Sequence, residues 1–249
     1  MGDGKAKISR LDELVVLQGL AADLKVARAL ILRGVVFVKD QRLDKVGTRV
    51  SIQDEIQIRT SNNPYVSRGG LKLAHAIDAF ELGVAGAVCW DLGASTGGFT
   101  DCLLQRGALH VYAVDVGRGQ LDWGLQGNDR VTRIEGVNVR YLEFDTVPER
   151  PEIITVDLSF ISLRLVLPRL KELAPVRVLA LVKPQFEAYK QEIGVGGIVR
   201  GQEIREAILE RLKCDLEDQD ISVEGRVDSP IRGQKGNQEY FFLCSFQPV

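Results

Sequence analysis

Asp91-Leu92-Gly93-Ala94-Ser95-Thr96-Gly97-Gly98-Phe99 is the stretch whose reading decides the fold. An apolar segment, Ala87–Asp91, ends in an acidic residue and runs into a glycine-rich turn. A helix-forming segment, Thr100–Arg106, follows. A strand that enters a helix through such a turn is the opening unit of an open α/β sheet, and ligands bind at the carboxyl edge of those strands. Gly93 and Gly97 let the backbone approach a ligand closely.

Outward from this loop the alternation continues. Strands are expected at Val111–Asp115, Val131–Ile134, Ile153–Asp157 and Val176–Val182, with helices between most of them, Leu163–Leu173 among these. Leu73, Ala76, Ile77 and Phe80 form a helical stripe ahead of the first strand. A long helix, Gln202–Leu216, precedes two last strands near Ile221–Val227 and Tyr240–Phe246. The expected fold is therefore α/β: a Rossmann-like sheet of seven strands covered on both faces, its last pair antiparallel.

Residues before 60 follow a different pattern. Leu11, Leu14, Val15, Leu17 and Leu20 suit one short helix; Leu24, Ala27, Leu30 and Ile31 suit a second, with Gly19 and Gly34 as stops. Short β-like pieces follow at Val35–Val38, Arg49–Ser51 and Ile56–Ile58. Thr60-Ser61-Asn62-Asn63-Pro64 is polar and reads as a linker. The expected organisation is a small α+β domain over 1–59, a linker over 60–70 and a large domain over 71–249.

The 249 residues are 45% hydrophobic and 27% charged, an ordinary globular composition. No apolar run approaches a bilayer span, and the start lacks the apolar core of a signal peptide. The expected compartment is the cytoplasm, with no membrane partner. Four scattered cysteines without a CxxC, and only two histidines, give no zinc pattern; no metal is expected and the thiols read as buried and reduced. Net charge is -2, but residues 1–70 hold 12 Lys/Arg against 8 Asp/Glu while residues 71–249 hold 20 against 26. The basic bias lies where a nucleic-acid contact would need it.

The loop admits two cofactors. A dinucleotide site wants G-x-G-x-x-G, so that a helix N-terminus meets the pyrophosphate; here Ser95 stands where the second glycine belongs. S-adenosylmethionine has no pyrophosphate and carries a sulfonium cation, which suits Asp91 just before the turn. Asp115, 24 residues after Asp91, ends the second strand, where a carboxylate accepts the hydroxyls of an adenosine ribose. The loop favours the methyl donor without closing the alternative. Candidate cofactor contacts are Asp91, Gly93, Ala94, Ser95, Thr96, Gly97, Gly98, Phe99, Asp115 and Val116. Asn138, after the third strand, is placed where adenine is read.

Longer motifs are more specific. Tyr65-Val66-Ser67-Arg68-Gly69-Gly70-Leu71-Lys72-Leu73, the Asp91–Thr100 loop and Ala113-Val114-Asp115-Val116-Gly117-Arg118-Gly119-Gln120-Leu121 resemble the TlyA (hemolysin A) family. So do Val156-Asp157-Leu158-Ser159-Phe160-Ile161-Ser162-Leu163 and Leu181-Val182-Lys183-Pro184-Gln185-Phe186-Glu187, then Ser229-Pro230-Ile231-Arg232-Gly233 and Gly236-Asn237-Gln238-Glu239-Tyr240. The resemblance spans nearly the whole chain. It implies 2′-O-methylation of a ribose, expected to be cytidine, in ribosomal RNA, with S-adenosylmethionine as donor and an FtsJ-like catalytic domain.

It also implies an RNA-binding module like that of ribosomal protein S-four over Arg10–Arg59, with Leu24–Gly34 its most typical stretch. Ribosomal RNA or ribosomal subunits are the implied partners, and a monomer the expected assembly. Rival readings are a non-catalytic ribosome-assembly factor, a membrane-active haemolysin and a nicotinamide-dependent oxidoreductase. No catalytic residue of the pattern is lost, no membrane helix is present, and the second glycine is missing.

By motif, the catalytic Lys-Asp-Lys-Glu set of FtsJ-like enzymes falls on Lys72, Asp157, Lys183 and Glu239. A ribose hydroxyl is a poor nucleophile until its proton is removed or polarised. Lys183 is the expected activator, and Asp157 and Glu239 are expected to orient the lysines and ribose. Glu187 is read as a supporting group near Lys183. Arg10, Lys25, Arg28, Arg33, Lys39, Arg42 and Arg68 are candidate RNA contacts. The glycine-rich loop Ile193–Val199 is expected to be mobile, in the manner of a lid.

Overall fold

The computed structural model describes residues 8–32, 34–59, 63–174, 176–233 and 235–246. It divides into two compact units, with the boundary between Arg68 and Gly69. Arg33, Thr60, Ser61 and Asn62, which the sequence assigns to RNA binding and to the linker, lie outside the described residues.

The first unit comprises β1 (Ile8–Arg10), α1 (Leu11–Leu17), α2 (Leu24–Leu32), β2 (Val36–Val38), β3 (Gln41–Arg42), β4 (Arg49–Ser51) and β5 (Ile56–Ile58). β1 pairs with β4, and β2 stands between β3 and β5. Leu11, Leu14, Val15, Ala27, Ile31, Val36 and Val50 close a core between the two helices and these ribbons. The helix stops behave as the glycines require. Gly19 has φ +72 and Gly34 φ +70, a conformation in which a Cβ is costly. β1 and β3 are not in the sequence reading: Ile8-Ser9-Arg10 carries one apolar residue and Gln41-Arg42 none, so neither shows an apolar pattern.

Asp12 was not foreseen. It is fully buried beneath Arg10 and Arg28. Arg10 donates to it from Nε and Nη2 at 2.9 and 3.0 Å, and Arg28 from Nε at 3.0 Å. The hydrogen bond from Arg10 is the largest influence that holds its carboxyl down at about 2.

The second unit begins in helix α3 (Arg68–Ala79), so the last residues of the expected linker are helical. Then follow β6 (Val88–Leu92), α4 (Gly98–Gln105), β7 (His110–Asp115), α5 (Trp123–Gln126), β8 (Val131–Glu135), β9 (Ile153–Val156), β10 (Arg177–Val182), α6 (Pro184–Glu187), α7 (Gln202–Glu217), β11 (Ile221–Asp228) and β12 (Tyr240–Phe246). The seven strands lie in the order β11-β12-β10-β9-β6-β7-β8. Six point the same way, and β12 alone is reversed, antiparallel to both β10 and β11. The expected Rossmann-like sheet with an antiparallel last pair is the observed one. The chain leaves β6 toward β7 and returns on β6's other side as β9, so the carboxyl end of β6 is the switch point.

Central strands are buried on both faces. Trp90, Leu92, Val114, Ile154, Val156, Ala180 and Phe242 join Leu167, Leu209 and Leu212 from the covering layers in one core. One helix differs from expectation. Leu163–Leu173 is two 3-10 segments, Leu163–Leu165 and Leu167–Leu173, instead of one α-helix. Pro168, in the first turn of the second segment, has no N–H to carry a helix on from the first, and the bonds on either side of it, Val166 N to Leu163 O and Arg169 N to Val166 O, are i→i+3. The cysteines also differ from expectation: Cys89, Cys102 and Cys244 are buried, but Cys214 is exposed on α7. No helix among the described residues is long and apolar enough to cross a membrane.

Removing the Asp12 carboxylate strips two arginines of a shared acceptor. Asp12→Ala is expected to destabilise the first unit by on the order of 2 kcal/mol. Urea denaturation of the full chain, with hydrogen exchange of α1 and α2 as the local probe, measures it.

Candidate active site

The loop after β6 meets the end of β9 at very close range. Gly93 has φ +92, and a Cβ placed on it would lie 2.5 Å from the carbonyl oxygen of Asp157. Only glycine permits that approach. Asp157 N in turn donates to Leu92 O at 2.9 Å. Gly97, at φ +91, packs where a Cβ would strike the Leu125 and Leu121 side chains. Ser95 takes the left-handed conformation too, at φ +47.

Asp115 completes the loop. Its Oδ2 accepts from Ser95 N at 2.8 Å and its Oδ1 from Gly117 N at 2.6 Å. A pocket opens here, lined by Ala94, Ser95, Asp115, Gly117, Gln120 and Glu135 among others. Each carboxylate oxygen keeps a second lone-pair site, so Asp115 can still accept a ribose hydroxyl. An acceptor-rich pocket, with a serine at the position a pyrophosphate would need vacant, fits S-adenosylmethionine better than a dinucleotide.

Several expected cofactor residues serve the loop from behind. Asp91 was expected to face the ligand, but it has no exposed surface. Its oxygens accept from Thr100 Oγ1 at 2.7 Å and Thr155 Oγ1 at 3.0 Å. Burial pushes its carboxyl up to about 7, against the two hydroxyls and with the charge of Asp157 adding to the rise. Phe99 is buried against Phe241, with ring centroids 5.9 Å apart. Gly98 is buried in the first turn of α4. Ala94 and Ser95 line the pocket; Thr96 is half-buried, its carbonyl accepting from Asp122 N at 3.1 Å. Val116 is exposed beside Asp115. Asn138 is exposed, and its Oδ1 caps a 3-10 turn by accepting from Arg140 N at 3.0 Å.

The four expected catalytic side chains converge on the same rim. Asp157 follows β9, Lys183 follows β10, and Glu239 precedes β12; the registers Val156 with Ala180 and Val182 with Tyr240 put all three at one sheet edge. They form two ion pairs. Lys72, from α3, reaches Glu239 Oε2 at 2.5 Å, and Lys183 Nζ lies 2.6 Å from Asp157 Oδ1. The second pair is close but poorly directed as a hydrogen bond, since Asp157 Oδ1 has no aligned donor. Lys183 donates instead to Ser159 Oγ at 2.9 Å. Glu239 is almost wholly buried.

Glu187 does not assist Lys183. Its oxygens accept from Ser162 Oγ at 2.6 Å, Leu163 N at 2.8 Å and Arg164 Nη1 at 2.7 Å, so it anchors the segment after Asp157. Burial raises its carboxyl above the ordinary value.

Sequence reasoning assigned no role to Ser159 or Phe160. Phe160 is 89% exposed, has φ +65, and stacks on Phe186 with centroids 5.1 Å apart. An aromatic residue beside a strand end ordinarily reads as core; only its backbone conformation turns it outward.

Of the expected RNA contacts, Arg10 and Arg28 are half-exposed above Asp12. Lys39 pairs with Asp54 at 2.6 Å and Arg42 with Asp44 at 3.7 Å. Lys25 lies on α2 and Arg68 opens α3. These pairings leave partly occupied cations where the sequence implied unshared ones.

A seven-stranded sheet of this order, with an acidic-pocket loop at its switch point and a Lys-Asp-Lys-Glu rim, defines a Rossmann-like methyltransferase. The chain belongs to the FtsJ-like methyltransferase family, whose match runs over residues 65–246. It is 41% identical over 245 residues to the 16S/23S rRNA (cytidine-2'-O)-methyltransferase TlyA of Mycobacterium tuberculosis, covering 97% of this chain and 91% of that one. Hemolysin A of Brachyspira hyodysenteriae is 40% identical, with 93% and 97% covered. A Streptococcus thermophilus protein whose structure is known under a hemolysin name superposes with TM-score 0.75 at 42% identity, over 97% of this chain and 90% of that one. The Synechocystis magnesium protoporphyrin IX methyltransferase (13% identity, TM-score 0.50, 72% and 84% covered) shares the fold alone.

Asp91 supplies a test of the loop's foundation. Its raised carboxyl binds a proton in the folded chain up to about 7, whereas the ordinary value is 3.8. Ionising it therefore costs stability as pH rises through that interval. Asp91→Asn is expected to abolish this component, so that parent stability falls relative to the variant between pH 4 and about 7. Urea denaturation at several pH values reads the difference; parallel curves would place the ionisation elsewhere.

Proposed function

We propose that the chain transfers a methyl group from S-adenosylmethionine to the 2′-oxygen of a ribose in ribosomal RNA, at cytidine, and that its first unit helps to hold the RNA. The observation that carries this reading is the rim: Asp157, Lys183 and Glu239 stand at neighbouring strand ends, with Lys72 reaching in from α3, directly beside the loop of Gly93 and Asp115. The names of these relatives, rRNA (cytidine-2'-O)-methyltransferases, point the same way.

S-adenosylmethionine, when bound, supplies the methyl group. Asp115, Ser95 and Ala94 would hold its nucleoside end. The acceptor side belongs to the lysines. An ammonium has three N–H donors; Lys183 directs one to Ser159 and is held by the charge of Asp157 without an aligned hydrogen bond to it, so an N–H is open to the ribose hydroxyl. That hydrogen bond positions the 2′-oxygen and stabilises the charge that develops there as the methyl group would pass from the sulfonium sulfur to the oxygen and the hydroxyl proton to solvent. Asp157 aims Lys183, and Glu239 aims Lys72. The exposed ring of Phe160 offers an unstacked base a face beside the same lysine. In the first unit, Arg10 and Arg28 keep their outer N–H groups for phosphate while Asp12 fixes their direction.

Two measurements test the reading. Asp115→Ala removes the ribose acceptor and the anchor of Ser95 N, so calorimetry should show affinity for S-adenosylmethionine weakened by roughly 1–3 kcal/mol. Lys183→Ala should slow methyl transfer to rRNA by ~10²–10⁴ with cofactor affinity nearly unchanged. Lys183→Arg should also fail, because a planar guanidinium cannot reproduce the ammonium's three-way geometry. A product methylated on a base, or parental turnover in Lys183→Ala, would refute the assignment.

A further inference from the structure

The glycine-rich segment Ile193–Val199, expected to be mobile, is a closed hairpin. Gly194 and Ile198 form a bridge, with Gly194 N donating to Ile198 O at 2.9 Å and Gly197 N to Gly194 O at 3.1 Å. Gly196 and Gly197 take φ +81 and +78, which a two-glycine turn allows. Val195 projects from the tip, 90% exposed, while Val199 is buried. Nothing in the cofactor pocket or the two ion pairs uses this hairpin.

The side chain of Asn237 fastens it. Asn237 is 2% exposed. Its Oδ1 accepts from Val199 N at 2.9 Å, and its Nδ2 donates to Gly197 O at 2.9 Å. Both ends of the amide are thus spent on the hairpin backbone. Its own carbonyl accepts from Gly233 N at 2.9 Å. Gly233 in turn lies so near the carboxylate of Glu239 that a Cβ there would sit 2.3 Å from Oε1. The same loop is tied at its base by Ser229 N to Glu239 O at 2.8 Å and by Gln238 Nε2 to Ser229 O at 2.9 Å. Hairpin, Asn237, Gly233 and Glu239 are therefore one contiguous hydrogen-bonded and packed body, and Glu239 is the group that holds Lys72.

We propose that Asn237 is a positioning residue for the reaction: its buried amide locks the Gly194–Ile198 hairpin to the loop that aims Glu239 at Lys72, making the hairpin a fixed wall beside the acceptor side. An aspartate cannot replace it, because one of its carboxylate oxygens would then face the Gly197 carbonyl, acceptor against acceptor. This inference rests on the methyltransferase reading above for its kinetic arm, and on the fold alone for its exchange arm.

Asn237→Ala and the nearly isosteric Asn237→Asp test it in the full chain. Methyl transfer to rRNA should fall about 10–100-fold in kcat, the cost of a small misplacement of a reacting group. The KM for rRNA and the affinity for S-adenosylmethionine should stay within about twofold, in contrast to a general loss of binding. In a Glu239→Gln background the same substitutions should cost less than about threefold, because the group they misalign is already gone. Equal losses in both backgrounds would mark Asn237 as merely structural and overturn the proposal. Hydrogen exchange gives the second readout: protection should drop together over 194–199 and 233–239, with α7 unchanged. Loss over one segment only, or parental turnover in both variants, also overturns it. If the parent chain binds cofactor yet methylates no rRNA, the proposed function fails, and the exchange result decides the coupling independently.

Discussion

The seat of Gly93 against the carbonyl of Asp157 is the constraint on which the rest of the second unit depends. It brings the glycine-rich loop after β6 and the end of β9 into direct backbone contact, which no residue with a Cβ allows. From it follow the position of Ser95 over Asp115, the direction in which Asp157 leaves the sheet, and through Asp157 the placement of Lys183. Cofactor pocket and acceptor rim are adjacent because two parallel strands are hydrogen-bonded neighbours, and the glycine removes the last atom that would hold them apart.

Around that contact the chain separates carboxylates that support from carboxylates that act. Asp91, Glu187 and Asp12 are enclosed, each with its oxygens committed to hydroxyl, amide or guanidinium donors. Burying such groups is tolerable only when their lone pairs are filled, and each fastens a segment that carries function: α4, the run after Asp157, and the paired Arg10 and Arg28. Asp115 and Asp157 face the pocket or Lys183 instead, and Glu239, though buried as well, is turned to Lys72. Lys72 and Lys183 each have their own carboxylate, so the two positive charges are held by separate strand ends and not by one shared anion.

Much of this was legible beforehand. The strands and the antiparallel last pair followed from alternating helix and strand, because doubly covered parallel strands leave apolar runs that stand out in the sequence. The four residues proposed as catalytic were legible as members of long motifs. Asp91 and Glu187 were placed in the right neighbourhood and given the wrong work. A carboxylate next to a functional loop looks the same in sequence whether it faces the ligand or the core, and Thr100 and Thr155 settle the matter from other elements. Phe160 was hidden for the opposite reason: an aromatic residue after a buried strand reads as core, and a left-handed φ turns it out.

By itself the sequence determined the α/β class, the seven strands, the glycines at which a backbone must turn or approach, and the family. Those are properties of local periodicity, of missing Cβ atoms and of residue types in order along the chain. Only the tertiary structure decided which charges pair, which carboxylates are enclosed, that Leu163–Leu173 winds as 3-10 turns, and that Ile193–Val199 is fastened through Asn237. Apart from the 3-10 winding, which is local, each of these depends on partners distant along the chain, Lys72 and Glu239 being 167 residues apart. Hydrogen-bond and ion-pair energies fall off over a few ångströms of real space, a separation that distance along the chain does not encode.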